Sequence, residues 1–132
     1  MKICIPYAVI FLCIISNNFV TSNVDHNFAE CCKKAVSHSC AKHCKYYNSV
    51  IRYSWPFLKG DCDWDKERDL LRHCFMNQKD QTECCSALKV NEHPHCLEIC
   101  NGTLKSFSHP IGQYLICRRY IKQATKCAKS SW

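Results

Sequence analysis

The stretch Phe28-Ala29-Glu30-Cys31-Cys32-Lys33-Lys34-Ala35-Val36-Ser37-His38-Ser39-Cys40-Ala41-Lys42-His43-Cys44 decides the fold. It has no proline or glycine, and Cys32, Val36, Cys40 and Cys44 advance by four residues along one helical face. The spacing predicts a helix from Phe28 to about Asn48. Cys31 and Cys32 should not bond each other, because adjacent Cα atoms sit about 3.8 Å apart and disulfides want ~4.4–6.8 Å. Cys40 and Cys44 stand at i,i+4 spacing with Cβ atoms ~5–6 Å apart, too far for a bridge that wants ~3.5–4.5 Å. Each should reach a separate partner from the helix and so clamp neighbouring helices onto it.

The same arrangement returns downstream. After Cys31-Cys32 come gaps of 7, 3, 17 and 11 residues to Cys40, Cys44, Cys62 and Cys74. After Cys84-Cys85 the gaps are 10, 3, 16 and 9 residues to Cys96, Cys100, Cys117 and Cys127. Both halves are a double cysteine followed by four single ones, which reads as the duplication of one helical unit. Connectivity stays open, since six cysteines alone allow ~15 pairings.

The flanking segments are also helical in pattern. Asp63, Asp65 and Glu67 crowd the start of a second helix and Arg72 and His73 its end, which suits the helix dipole. Asp80 and Glu83 have capping-box spacing ahead of a short helix across Cys84-Cys85-Ser86-Ala87-Leu88. Pro94 fits the first turn of another helix, which Asn101-Gly102 would stop. The last runs from near Pro110 to about Ala128, with Tyr114, Ile116, Cys117, Tyr120, Ile121 and Ala124 as its apolar side. Alternating strand patterns are scarce. The expected fold is all-α, a small disulfide-rich domain of about five helices.

Residues 1–22 set the compartment. Lys2 precedes an apolar run through Ile15, polar residues follow from Ser16, and Thr21-Ser22 offer a cleavage point before Asn23, the layout of a secretory signal peptide. The apolar run is short of the ~20 residues that a spanning helix needs. Of the 14 cysteines, Cys4 and Cys13 would leave with the signal, and 14 − 2 leaves 12 in residues 23–132. That is roughly 11%, above the ~8–10% that marks a secreted disulfide scaffold. The even number leaves no thiol obliged to stay free. The expected product is one exported domain, residues 23–132, with no cofactor.

Enzyme chemistry finds little footing here. Secreted phospholipases A2 are also small and disulfide-dense, but they place a His-Asp pair just after a double cysteine and a glycine-rich calcium loop upstream. Here Lys33-Lys34 follow the double cysteine, and the chain's three glycines, Gly60, Gly102 and Gly112, all lie downstream. No Gly-x-Ser-x-Gly elbow exists. His93, His95, Cys96 and Cys100 superficially resemble zinc ligands, but in an oxidising compartment the cysteines are expected as disulfides. No enzyme and no metal site is expected, and secretion without a reading motif argues against nucleic acid.

Two surfaces remain as partner candidates. Tyr46, Tyr47, Arg52, Tyr53, Trp55 and Phe57 fall in the longest cysteine-free gap of the mature chain. Tyr, Trp and Arg are favoured at interface hot spots, and the same rings could equally fill a small core. Arg118, Lys122, Lys126 and Lys129 make a basic stripe at helical spacing. It would suit an acidic protein, a heparan-like glycan or an anionic membrane, or would simply be a solvated face. Asn101-Gly102-Thr103 is a glycosylation sequon at Asn101.

Taken together, Ala29-Glu30-Cys31-Cys32, Cys40-xxx-Cys44, Leu70-Leu71-Arg72-His73-Cys74, Glu83-Cys84-Cys85, His95-Cys96-Leu97-Glu98-Ile99-Cys100-Asn101-Gly102, Tyr114-Leu115-Ile116-Cys117 and Cys127 resemble the DB module. This is a twelve-cysteine extracellular domain best known from nematodes, and the resemblance spans Phe28 to Cys127. It implies six disulfides and an extracellular setting, without an established biochemical role. One departure is the segment Phe75 to Thr82, where family members often carry glycine and this chain has none. The double-cysteine layout is also distantly similar to the domains of GDNF-family receptor alpha chains. The expected function is a secreted module that binds an extracellular or cell-surface protein through the aromatic segment. The alternative is a cationic effector or host-defence protein acting at anionic membranes.

Overall fold

A computed structural model describes residues 23–132, so the expected signal peptide, 1–22, lies outside the described residues. The chain opens with helix α1, residues 23–35, which buries Phe28 and Cys32 one turn apart. After a break at Ser37 come α2 (His38–Ala41), α3 (Val50–Leu58) and α4 (Trp64–Phe75). The second half holds α5 (Thr82–Ala87), 3-10 helices at Val90–Glu92, Pro94–Cys100 and Ile111–Tyr120, and α6 (Ile121–Ser130). No strand forms among the described residues; Asp80 and Asn101 make one isolated bridge. The all-α expectation holds.

All twelve cysteines among the described residues pair, and each half closes on itself. The first half joins Cys31–Cys74, Cys32–Cys44 and Cys40–Cys62; the second joins Cys84–Cys127, Cys85–Cys100 and Cys96–Cys117. In both, the first cysteine bonds the sixth, the second the fourth, and the third the fifth. The outermost bridges even span the same separation, 43 residues. Two halves with one connectivity are what a duplicated unit produces. As the spacing required, neither the adjacent cysteines nor the i,i+4 pairs bond each other.

The long first helix expected from the sequence is cut in two, and the disulfide explains why. Residues 32 and 44 of an unbroken helix would lie about 18 Å apart. The Cys32–Cys44 bridge holds their Cα atoms at 6.5 Å, so the chain must fold back between them. At the break, the Ser37 N–H donates to Glu67 Oε1 at 2.8 Å. The other carboxylate oxygen accepts the Asp63 N–H at 2.8 Å, so one buried side chain ties the α1–α2 corner to the start of α4.

The start of α4 is as read: the Asp63 carboxylate accepts the Asp65 and Lys66 N–H groups. The capping box at Asp80 is not formed. Gln81 occupies the cap position of α5, and Asp80 Oδ1 instead accepts from the Thr82 N–H and hydroxyl. Pro94 opens its helix as expected, although the helix is 3-10, and Asn101 ends it. Gly102 does more than stop that helix. Its N–H donates to Lys79 O at 2.8 Å, and a Cβ there would stand 2.8 Å from both Lys79 O and Met76 Cβ. The halves approach through a residue that has to lack a side chain.

The core sits where the halves meet. Phe28 stacks on Tyr46 at 4.7 Å between centroids, and Phe75 meets Phe28, Tyr46 and Tyr53 edge-on or tilted at 5.3–5.9 Å. Met76, Val90, Ala124 and Ala128 complete it. Its polar groups are bonded: Tyr46 donates to Phe75 O, and the Trp132 indole N–H donates to Tyr46 Oη. Ser131 O accepts from Asn77 and Lys79, which fastens the end of the chain to the α4–α5 turn.

Candidate functional site

The aromatic segment forms helix α3, in the stretch between about Asn48 and Asp63 where the sequence pattern predicts none. In α3, Pro56 lies within the last turn, where its missing N–H costs a single intrahelical bond. The helix splits the candidate residues between two faces. Tyr46, just ahead of it, is buried, and Tyr53 lies on the inward face. Tyr53 Oη accepts the Tyr47 N–H at 2.6 Å and lies within hydrogen-bonding distance of Tyr47 O and Thr125 Oγ1. Burial pushes both phenols, Tyr46 and Tyr53, above their ordinary pKa. These two rings pack into the seam between the halves rather than onto the outer face of α3.

The outward face differs. Ile51, Trp55 and Leu58 are 70%, 55% and 75% exposed, and they stand at i, i+4 and i+7, one stripe of the helix. Arg52 is exposed beside them, its guanidinium 5.5 Å from the Tyr47 ring centroid. Phe57 is half-buried against Trp64 at 5.1 Å, and Arg68 covers the Trp64 ring at 5.6 Å. Of the six candidates, Arg52 and Trp55 lie on the surface, Tyr47 and Phe57 lie at its edge, and Tyr46 and Tyr53 lie inside. Ile51 and Leu58 belong to the stripe and were not singled out from the sequence. Their signal is the helical period, visible once the segment is read as a helix.

The basic stripe is present as geometry. Arg118, Lys122, Lys126 and Lys129 are all exposed. The opposite face of α6, Ala124, Thr125, Cys127 and Ala128, is buried in the core and leaves no apolar face for a bilayer. Asn101 is partly exposed, and its Oδ1 accepts the Thr103 N–H and hydroxyl, leaving the sequon on a turn at the join between the halves.

Titratable groups cluster in two further places. Asp61 bonds His43 at 2.7 Å with Lys59 at 3.1 Å and Lys42 at 3.7 Å, and the His43 bond, then Lys59, holds its carboxyl below the ordinary range. Ser108 Oγ bonds His109 Nδ1 at 2.7 Å, and Glu98 Oε2 lies 3.7 Å from the same nitrogen. A nucleophile relay needs the serine and the carboxylate on opposite ring nitrogens, so this cluster does not have that geometry. Burial would raise the Glu98 pKa, but hydrogen bonds from Ser108 and Tyr114 outweigh it and hold it low. The two groupings with metal-ligand proximity, His95–Cys96–Cys117 and Cys40–Cys62–Glu67, each rest on the sulfurs of one disulfide. Such sulfurs are not thiolates and do not ligate zinc in the way the His93–Cys100 spacing suggested.

Among the described residues no helix is long and apolar enough to cross a membrane. No curated protein and no solved structure matches the chain. A family model, described as the DB module, matches residues 31–128, well over half of the sequence. That span runs from the first paired cysteine to just past the last. The chain therefore belongs to the DB module family of disulfide-rich extracellular domains.

Proposed function

We propose that the protein is a secreted recognition module and that the outer face of α3 docks an extracellular or cell-surface protein. The observation that carries this reading is the stripe Ile51, Trp55 and Leu58, three large apolar side chains more than half exposed on a helix held by disulfides at both flanks. Cys44 and Cys62 bracket α3, so the stripe is presented in one orientation and little ordering entropy is lost on binding. A tryptophan that becomes buried on binding, with an arginine neighbour, is a common energetic centre of interfaces. The complementary surface is an apolar groove with an acidic group facing Arg52, the helix-in-groove mode.

The test is a binding screen of the oxidised protein against extracellular ectodomains, with anionic vesicles in the same panel. A saturable ectodomain hit that persists in moderate salt and is lost in Ile51→Ser/Leu58→Ser supports the reading. Vesicle binding alone, abolished by salt and by Lys122→Gln/Lys126→Gln, would instead favour the cationic effector.

A further inference from the structure

Between the halves lies a cavity of about 530 Å³ whose chemistry differs from that of the α3 stripe. Val50, Phe57 and Leu71 line it from the first half, and Ile99, Phe107 and Leu115 from the second. Ile51 and Trp55 do not contribute to it, whereas Leu58 and Arg52 border both this cavity and the outer face of α3. The volume falls within the ~300–1,000 Å³ of ordinary small-molecule sites, which are mostly apolar with a few placed polar groups.

The lining includes His43, Tyr53 and Ser54, and its charged groups carry one sign. Lys45, Arg52, Arg68 and Arg72 line the cavity, and no aspartate or glutamate does so among the described residues. Arg72 is 4% exposed, and its guanidinium lies 4.2 Å from the Phe107 ring centroid. Asp69 Oδ1 accepts from one terminal nitrogen at 2.9 Å, and Leu104 O accepts from the other at 2.5 Å. The third donor, Nε, is buried without a hydrogen-bond partner. A buried donor of this kind costs stability, and the side chain that carries it is among those that line the cavity.

We propose that this cavity binds a long-chain fatty acid, with its hydrocarbon chain against the apolar walls and its carboxylate on the Arg72 side of the cationic lining. An apolar chain with one terminal anion matches both the shape and the sign. A neutral lipid would leave the cationic lining without an anion, and a polar anion would leave the aromatic walls unused.

Isothermal titration of the oxidised protein with sodium oleate, below its micelle-forming concentration, tests this directly. Oleyl alcohol and lysophosphatidylcholine serve as matched ligands without a carboxylate. Oleate should bind saturably at a single site, and both matched ligands at least about tenfold more weakly, the difference a charge-assisted hydrogen bond makes. Val50→Trp, which fills the cavity, should weaken oleate binding by a similar factor. Lys45→Glu/Arg52→Glu, which alters only exposed positions, should weaken it too and keep the test open if Val50→Trp fails to fold. Absence of saturable oleate binding, equal affinity for the alcohol or the lysolipid, or binding indifferent to the folded variants would overturn the proposal.

Discussion

Replacing Tyr53 by Phe removes a single hydroxyl from the seam between the halves. The ring contacts with Phe75 and Tyr47, both at 5.5 Å, survive the change, so the polar contribution is isolated. In the native protein Tyr53 Oη lies 2.6 Å from the Tyr47 N, 2.8 Å from Tyr47 O and 3.0 Å from Thr125 Oγ1. Thr125, 1% exposed, has its own bond to Tyr47 O at 2.9 Å, so the carbonyl keeps a donor in the variant. The Tyr47 N–H does not keep its acceptor. One net hydrogen bond together with an unsatisfied amide comes to about 2–3 kcal/mol. For a domain of this size that lowers Tm by roughly 8–15 °C. The assay is thermal and urea unfolding followed by circular dichroism with the disulfides intact, where two-state treatment applies. Trp55→Ala, on the outer face of the same helix, should stay within about 0.5 kcal/mol of wild type. Equal stability of wild type and Tyr53→Phe would refute the assignment of this hydroxyl to the seam, and a large loss in Trp55→Ala would refute the division of α3 into inner and outer faces.

Other consequences can be checked alongside it. Non-reducing digestion and mass spectrometry should recover Cys31–Cys74, Cys32–Cys44, Cys40–Cys62, Cys84–Cys127, Cys85–Cys100 and Cys96–Cys117, and a bond crossing between the halves would contradict the duplicated unit. Burial would raise the Glu67 pKa, but hydrogen bonds from Ser37 and Asp63 outweigh it and hold the carboxyl below its ordinary value. A folded pKa depressed in this way contributes stability that is present above the unfolded value of about 4.3 and lost as pH falls through the folded one. Glu67→Gln should therefore be less stable at neutral pH and flatten the acid-side fall in Tm; an unchanged pH profile would exclude that role. Gly102→Ala places a Cβ 2.8 Å from Lys79 O and Met76 Cβ, and should lower stability by about 1–3 kcal/mol, read by urea unfolding.

The sequence shows its fold through its cysteines more than through its helical periods. The two sets of six, the forbidden neighbour bonds and the start of α4 at Asp63 all follow from spacing and dipole chemistry, and all recur in the structure. The failures have a common cause. Periodicity at Cys32, Val36, Cys40 and Cys44 is continuous, yet the Cys32–Cys44 bridge forbids a continuous helix, and a pairing left open cannot correct a helix boundary. Helix α3 was hidden by Pro56, which reads as a breaker although it sits in the last turn. Composition put Tyr46, Tyr53 and Trp55 together as one aromatic patch. Only the phase of α3 separates the half-buried, inward-facing Tyr53 from the exposed Trp55 and brings Ile51 and Leu58 into line with it. Trp132 and Thr125 matter through contacts 86 and 72 residues away in sequence, which no local pattern reports.

The most direct test of the recognition reading compares the oxidised wild-type protein with Trp55→Ala against an ectodomain panel. The account predicts saturable binding to at least one ectodomain, weakened about tenfold or more by the substitution, the scale of an interface hot spot. Secretion and circular dichroism should be unchanged. Saturable binding that Trp55→Ala leaves intact would contradict the account, because the partner would then dock elsewhere than on α3.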